Sequence, residues 1–288
     1  MDLVDELQSR IVCGDGAMGT RLLESGVSID RCLEELCLSE PERIRRVHEE
    51  YIAAGARVIE TNTFGANAVR LRCCGMEERV GEINRAAVRV ARDAAKGHDV
   101  YVAGAVGPLG ITADQARAQG IDRANCFREQ INALLDGGVD LIFFETFTGF
   151  EEIEIALLAK KELSDVPEIC AVACGVDGRL SCGMSLAEAF GRFKKMGARI
   201  VGLNCMNAPQ EMVAVLRDLP DEYLFAVYPT AGQPRQKDGR LLYDVTPELF
   251  AASMGDIVAS GARLLGGCCG TTPNHIAALA AAIGKLPP

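Results

Sequence analysis

Tryptophan is absent from this 288-residue chain, and aromatic content is low, with five tyrosines and ten phenylalanines. An aromatic cage of the kind that holds a quaternary ammonium ion therefore has few residues to draw on. Basic residues are also in deficit. Thirty Lys and Arg against forty Asp and Glu give a formal charge of −10 and a pI near 5.0, the wrong sign for a nucleic-acid backbone or an anionic membrane surface. No apolar run approaches the roughly 20 residues that span a bilayer. The opening MDLVDELQSR carries acids and lacks the apolar centre of a secretion signal. The expectation is a cytoplasmic protein with neither a nucleic-acid nor a membrane partner. Low-complexity tracts and Pro/Ser-rich linkers are missing too, and 49% hydrophobic residues provide for a sizeable core. The three histidines, His48, His98 and His275, all lie away from the ends of apolar runs and are read as structural or surface residues.

Short apolar runs recur along the chain, beginning near Ile11, Val58, Tyr101, Leu141, Ile169, Ile200, Leu224 and Leu264. Each precedes a segment of helical periodicity, the pattern of a parallel sheet covered by helices. Helix punctuation supports this: Ser39-Glu40-Pro41-Glu42 reads as a capping box, and Thr246-Pro247 and Thr272-Pro273 place a hydroxyl cap before proline. Eight such units predict one α/β domain over residues 1–288, a TIM-type (β/α)₈ barrel. A doubly wound sheet would usually open with a glycine fingerprint followed by a distant acid, and the evenness of the units favours closure. Three connections, residues 21–38, 107–122 and 230–245, are longer than ordinary loops and are expected to cover a site.

In a barrel, the polar and glycine-rich clusters that end the runs share one rim, where active sites are built. Alternate strands contribute to a common layer, so Asn62, Glu145, Cys205 and the Cys268-Cys269 pair are expected to converge. Twelve cysteines without a secretion signal point to reduced thiols. Cys73-Cys74 lies in a helix-like stretch ending in glycine, where neighbouring side chains diverge by about 100°, and is read as structural. Cys268-Cys269 has glycines on both sides, which let successive side chains turn to one metal. Three thiolates suit Zn²⁺ with one position left for substrate. The rival, a three-cysteine iron–sulfur cluster, usually draws its ligands from one tightly spaced run, which this chain lacks. Cys13, Cys32, Cys37, Cys126, Cys170, Cys174 and Cys182 are read as packing residues. Glu145 is hard to explain as core and is placed to receive a substrate ammonium. Asp15, between two glycines, is read as a second ligand contact, with turn chemistry as the alternative.

GDGAMGT at 14–20, ETNTFGAN at 60–67, GLNC at 202–205 and GGCCGTTP at 266–273 together resemble the homocysteine S-methyltransferase family. The nearest likeness is to the barrel half of bacterial proteins that fuse this domain to a methylenetetrahydrofolate reductase. The resemblance implies a (β/α)₈ barrel in which Cys205, Cys268 and Cys269 hold zinc, Asp15 and Glu145 hold the amino group of homocysteine, and Asn62 and Thr63 line the site. Thr230 departs from the asparagine common in relatives. The implied reaction is methyl transfer to the homocysteine thiolate to give methionine, with no catalytic side chain beyond the zinc-activated substrate sulfur.

A sulfonium donor, S-methylmethionine or S-adenosylmethionine, is expected because it needs no attached cofactor module and has a good leaving group. Methylfolate would call for a cobalamin-bearing module, and no reductase, folate or cobalamin module is expected in this chain. Betaine would call for an aromatic cage, for which Tyr228, Phe64, Phe144 and Phe147 are the nearest candidates. The competing reading is a non-catalytic barrel subunit that docks on a separate reductase or corrinoid protein. An open metal position separates the two, since a structural zinc site normally has four protein ligands.

Overall fold

The computed structural model describes residues 2–205, 208–217, 219, 223–237 and 240–285. Each of the eight apolar runs forms a strand: β1 Val12–Cys13, β2 Val58–Glu60, β3 Tyr101–Val106, β4 Leu141–Phe147, β5 Glu168–Val172, β6 Ile200–Asn204, β7 Leu224–Tyr228 and β8 Ala262–Leu265. All pair in parallel, in the order β1-β8-β7-β6-β5-β4-β3-β2. A bridge between Gly14 and Val58, with the Arg57 N–H donating to the Cys13 carbonyl at 2.7 Å, joins the two ends. The sheet is a (β/α)₈ barrel.

Alternation along the strands divides the core in two. Val58, Ala103, Phe143, Ala171, Ile200 and Leu264 belong to the cluster inside the barrel, while their sequence neighbours pack outward under the helices. Leu3, Val4 and Leu7 of the helix Leu3–Ser9 join the inner cluster and plug the end where the strands begin. Buried Glu6 pins that plug: it accepts hydrogen bonds from Tyr101 Oη at 2.8 Å and Arg57 Nη2 at 3.0 Å, and pairs with Arg10. At the other end Tyr228 fills the interior. A Cβ at either Gly14 or Gly266 would overlap its side chain, so those two strand positions have room only for glycine.

The helix punctuation is partly as expected. Thr246 Oγ1 accepts from the Leu249 N–H at 3.4 Å ahead of Pro247. The capping-box reading at Ser39 is corrected: Ser39 ends a short helix, Leu36–Ser39, and bonds to Glu35. Glu40 occupies the cap position of the helix Pro41–Ala53 without a side-chain cap bond. Of the long connections, 107–122 contains the helix Ala113–Ala118. Residues 230–245, apart from 238 and 239, which lie outside the described residues, contain a hairpin of Arg235–Lys237 and Arg240–Leu242. Cys170 and Cys174 are buried as packing residues, but Cys182 is exposed, against expectation. Among the described residues no helix is long and apolar enough to cross a membrane.

His48 lies fully buried on the helix Pro41–Ala53, and neither ring nitrogen has a hydrogen-bond partner. Burial pushes its pKa down from 6.5 to about 4. The folded protein holds the ring neutral while the unfolded chain protonates it below about 6.5, so stability should fall as pH drops from 6.5 towards 4, by up to about 1.4 kcal/mol per pH unit. His48→Leu should flatten that part of the profile, as read by urea unfolding of the two proteins at each pH.

Candidate functional site

The site begins with two backbone departures. Leu141 and Phe143 face the barrel interior, and Glu145 continues that phase into the rim. Thr146 then takes a left-handed φ of 61°, a genuine outlier for a β-branched residue, at an order of 1–3 kcal/mol. The ladder between β4 and β5 shifts there, so Phe147 packs on the helix side with Phe127 and Phe144 and the chain turns away behind Glu145. The Asn204 amide holds this turn. Its Oδ1 accepts from the Thr146 N–H at 2.7 Å, and its Nδ2 donates to Thr146 Oγ1 at 2.8 Å and to Glu145 Oε2 at 3.4 Å. Cys205, the residue that follows β6, has the second positive φ, 60°, with its N–H fixed to the Tyr228 carbonyl at 2.9 Å.

The Cys268-Cys269 turn leaves β8 in a mesh of backbone bonds. The Gly267 N–H donates to the Asp15 carbonyl at 2.9 Å, the Cys268 N–H to that of Pro229 at 2.8 Å, and the Ala231 N–H to that of Cys269 at 2.9 Å. Thr271 Oγ1 donates to the Cys268 carbonyl at 2.8 Å. Both thiols are thereby directed to Cys205, and the three sulfurs lie within 4.8 Å of one another. Cys205 and Cys269 are 3.8 Å apart. Tetrahedral zinc with bonds of about 2.3 Å places its sulfur ligands roughly 3.8 Å apart, so the group fits such an ion. Hydrogen bonding with Cys205, followed by the other paired thiol and burial, holds the Cys268 thiol well above its ordinary pKa; Cys269 is pushed up to about 12, again chiefly through Cys205. Thiols in these surroundings become ligands only when a cation joins them.

Beside the sulfurs is a cavity of about 390 Å³ whose lining includes Asp15, Glu60, Glu145, Asn204 and Tyr228, with no Lys, Arg or His among the lining residues. Asp15 Oδ2 accepts from the Glu60 N–H at 2.8 Å. Burial pushes Asp15 up to about 8; burial, then Cys205 and Asp15, does the same for Glu145. Asn62 and Thr63 border the cavity, but their polar hydrogens are engaged by protein: Asn62 Nδ2 donates to the Leu33 carbonyl at 2.7 Å and Thr63 Oγ1 to that of Ala105 at 2.7 Å. Among the described residues of the three long connections, those lining the cavity are Leu33 and Glu34 of 21–38.

Other residues lie elsewhere. Cys73 and Cys74 are exposed on the turn Arg72–Cys74, closed by Gly75 at φ 68°. Phe144 and Phe147 are wholly buried outside the barrel wall, leaving Phe64 and Tyr228 as the aromatic side chains of the cavity. Thr230 is buried, and its hydroxyl has no hydrogen-bond partner among the described residues. Glu60 and Tyr228 are cavity residues absent from the sequence-derived substrate set. Glu60 had a signal, since it follows the apolar Val58-Ile59 as Glu145 follows its own run.

Fold and site together define a (β/α)₈ barrel protein with a three-thiol group at the rim, able to hold a metal ion beside buried acids. The sequence model of the homocysteine S-methyltransferase family matches residues 12–283, and the chain belongs to that family. It is 28% identical to the E. coli homocysteine methyltransferase MmuM, whose metallated form superposes with a TM-score of 0.78 over 96% of this chain and 98% of that one. It is also 29% and 30% identical to the methionine synthases of Mycobacterium leprae and Mycobacterium tuberculosis over 99% of its own length. The chain spans about a quarter of the length of those two relatives.

Cys205→Ala, Cys268→Ala and Cys269→Ala should each lose bound zinc, measured by elemental analysis after dialysis, whereas Cys73→Ala and Cys74→Ala should keep it. Full zinc content in either Cys268→Ala or Cys269→Ala would remove the metal site.

Proposed function

We propose that this protein is a zinc-dependent methyltransferase that moves a methyl group from an onium donor to the thiolate of homocysteine, giving methionine. The observation that carries the proposal is the three-thiol group standing beside buried Asp15 and Glu145 in one cavity. Cys205, Cys268 and Cys269 would hold the metal. When bound, zinc supplies a Lewis acid that keeps the substrate sulfur as thiolate near neutral pH, where a free thiol of pKa about 8.5 is largely protonated. Three thiolates and a dication carry one net negative charge, which preserves the nucleophilicity of the added sulfur.

The rest of the chemistry is positioning. Asp15 and Glu145 take the ammonium of homocysteine and so fix the direction from which its sulfur meets the methyl carbon, while Asn62 and Thr63 shape the wall. The new S–C bond forms as the methyl–sulfonium bond breaks, and its electron pair leaves with the neutral thioether. No side chain acts on the methyl group. An acidic cavity without a basic lining residue suits a cationic donor such as S-methylmethionine or S-adenosylmethionine. With two aromatic side chains at the cavity, betaine has no cage.

The second reading is favoured by a separate observation, the match to about a quarter of two methionine synthases. In it the barrel binds and activates homocysteine while a separate corrinoid or methylfolate protein brings the methyl group. The measurement that separates the readings is methionine formation by zinc-loaded protein with homocysteine and each donor in turn. Turnover with either sulfonium supports the first; turnover only with a methylated corrinoid protein replaces it with the second. Glu145→Gln should weaken homocysteine roughly ten- to a hundredfold, the worth of a charge-assisted hydrogen bond, with zinc retained. Unchanged affinity in a calorimetric titration would return Glu145 to a structural role.

A further inference from the structure

The cavity contains an acid that this chemistry leaves unused. Glu60 ends β2 in the cavity lining, and its carboxyl group receives no hydrogen bond among the described residues. Its own N–H is given to Asp15 Oδ2 at 2.8 Å, which sets the two acids side by side. Burial, then Glu145 and Asp15, pushes Glu60 well above the usual carboxylate range. Tyr228 shares the cavity lining, 2% exposed, its buried hydroxyl without a hydrogen-bond partner among the described residues.

Native interiors seldom leave such groups unpaired, and each exception asks for a reason. The missing side chains of Gly14 and Gly266 make room for the Tyr228 ring and, at Gly14, for its hydroxyl, so packing accounts for Tyr228 but not for the bare Glu60 carboxyl group. The acceptor count supplies a reason. An ammonium has three N–H donors. Asp15 already spends one oxygen on the Glu60 N–H, and Glu145 turns one towards Asn204. A third carboxyl group with free acceptors completes the set, and the cavity offers no basic side chain that would otherwise claim it.

We propose that Glu60 is the third ligand of the substrate ammonium, taking the N–H that Asp15 and Glu145 leave. This rests on the homocysteine reading above and extends it to selectivity. Three acceptors around one nitrogen favour a primary amine and reject thiols in which that nitrogen is missing or methylated.

The test is calorimetric titration of zinc-loaded protein with homocysteine, with 4-sulfanylbutanoate, which keeps the thiol and carboxylate but lacks the amine, and with N-methylhomocysteine. Glu60→Gln should lose tenfold or more in homocysteine affinity while binding 4-sulfanylbutanoate within twofold of wild type. N-methylhomocysteine should bind wild type about tenfold more weakly than homocysteine, and the gap should narrow in Glu60→Gln. Wild-type homocysteine affinity in Glu60→Gln, or an equal loss for both thiols, would overturn the assignment. If that variant did not fold, equal binding of homocysteine and its N-methyl form by wild type would do the same. A wild-type protein that showed no preference for homocysteine over 4-sulfanylbutanoate would instead overturn the reading beneath.

Discussion

Everything at the rim of this barrel answers to one electrostatic constraint. Four carboxyl groups, of Asp15, Glu34, Glu60 and Glu145, and three thiols are gathered around a single cavity with no basic side chain among its described lining residues. In water such groups would ionise independently; in a buried pocket each negative charge raises the cost of the next. Burial raises Asp15 and Glu145, with Cys205 and Asp15 adding to the second, and the hydrogen bond with Cys205 raises Cys269. The described lining residues supply no cation, so the cavity favours positive charge arriving from outside, which under the proposed chemistry is a metal dication against the sulfurs and an ammonium against the acids. Affinity and selectivity then have the same origin.

Holding like groups together requires a stiff frame, and the frame is visible in the backbone. Thr146 and Cys205 sit in left-handed conformations on adjacent parts of the rim, linked by the Asn204 amide. Strain of this kind persists only where neighbouring hydrogen bonds over-determine it. Here it serves two purposes at once: it turns the chain behind Glu145 and aims the Cys205 sulfur at the Cys268-Cys269 turn. Asn204 therefore couples the acid side of the cavity to the sulfur side, although it touches no sulfur in any hydrogen bond given above.

Much of this was legible in the sequence because strand periodicity is a local property. Apolar runs beginning near Ile11 and Leu264 announce strands wherever they fall, and the barrel follows from their number and spacing. The contrast between Cys73-Cys74 and Cys268-Cys269 was legible for a related reason, since flanking glycines and strand ends can be read directly. What escaped was set by tertiary contact. Thr146 is a non-glycine residue at positive φ, a conformation its own identity does not announce. Ser39 has the spelling of a cap, yet the short helix before it captures its hydroxyl. Asn62 and Thr63 stand out in sequence as a polar cluster, but their hydrogens serve loop and strand carbonyls, while the less conspicuous Glu60 presents the freer acceptor.

The plug formed by Leu3, Val4 and Leu7, with Tyr228 lying across the interior above it, makes the barrel a blind tube. Traffic must pass through one doorway. Under the proposed chemistry, the amino acid held against the acids and sulfurs occupies the deep end, and the methyl donor has to stand between it and solvent. The order of events is then a matter of queueing: the acceptor enters before the donor, and the spent donor leaves before the newly methylated acceptor can.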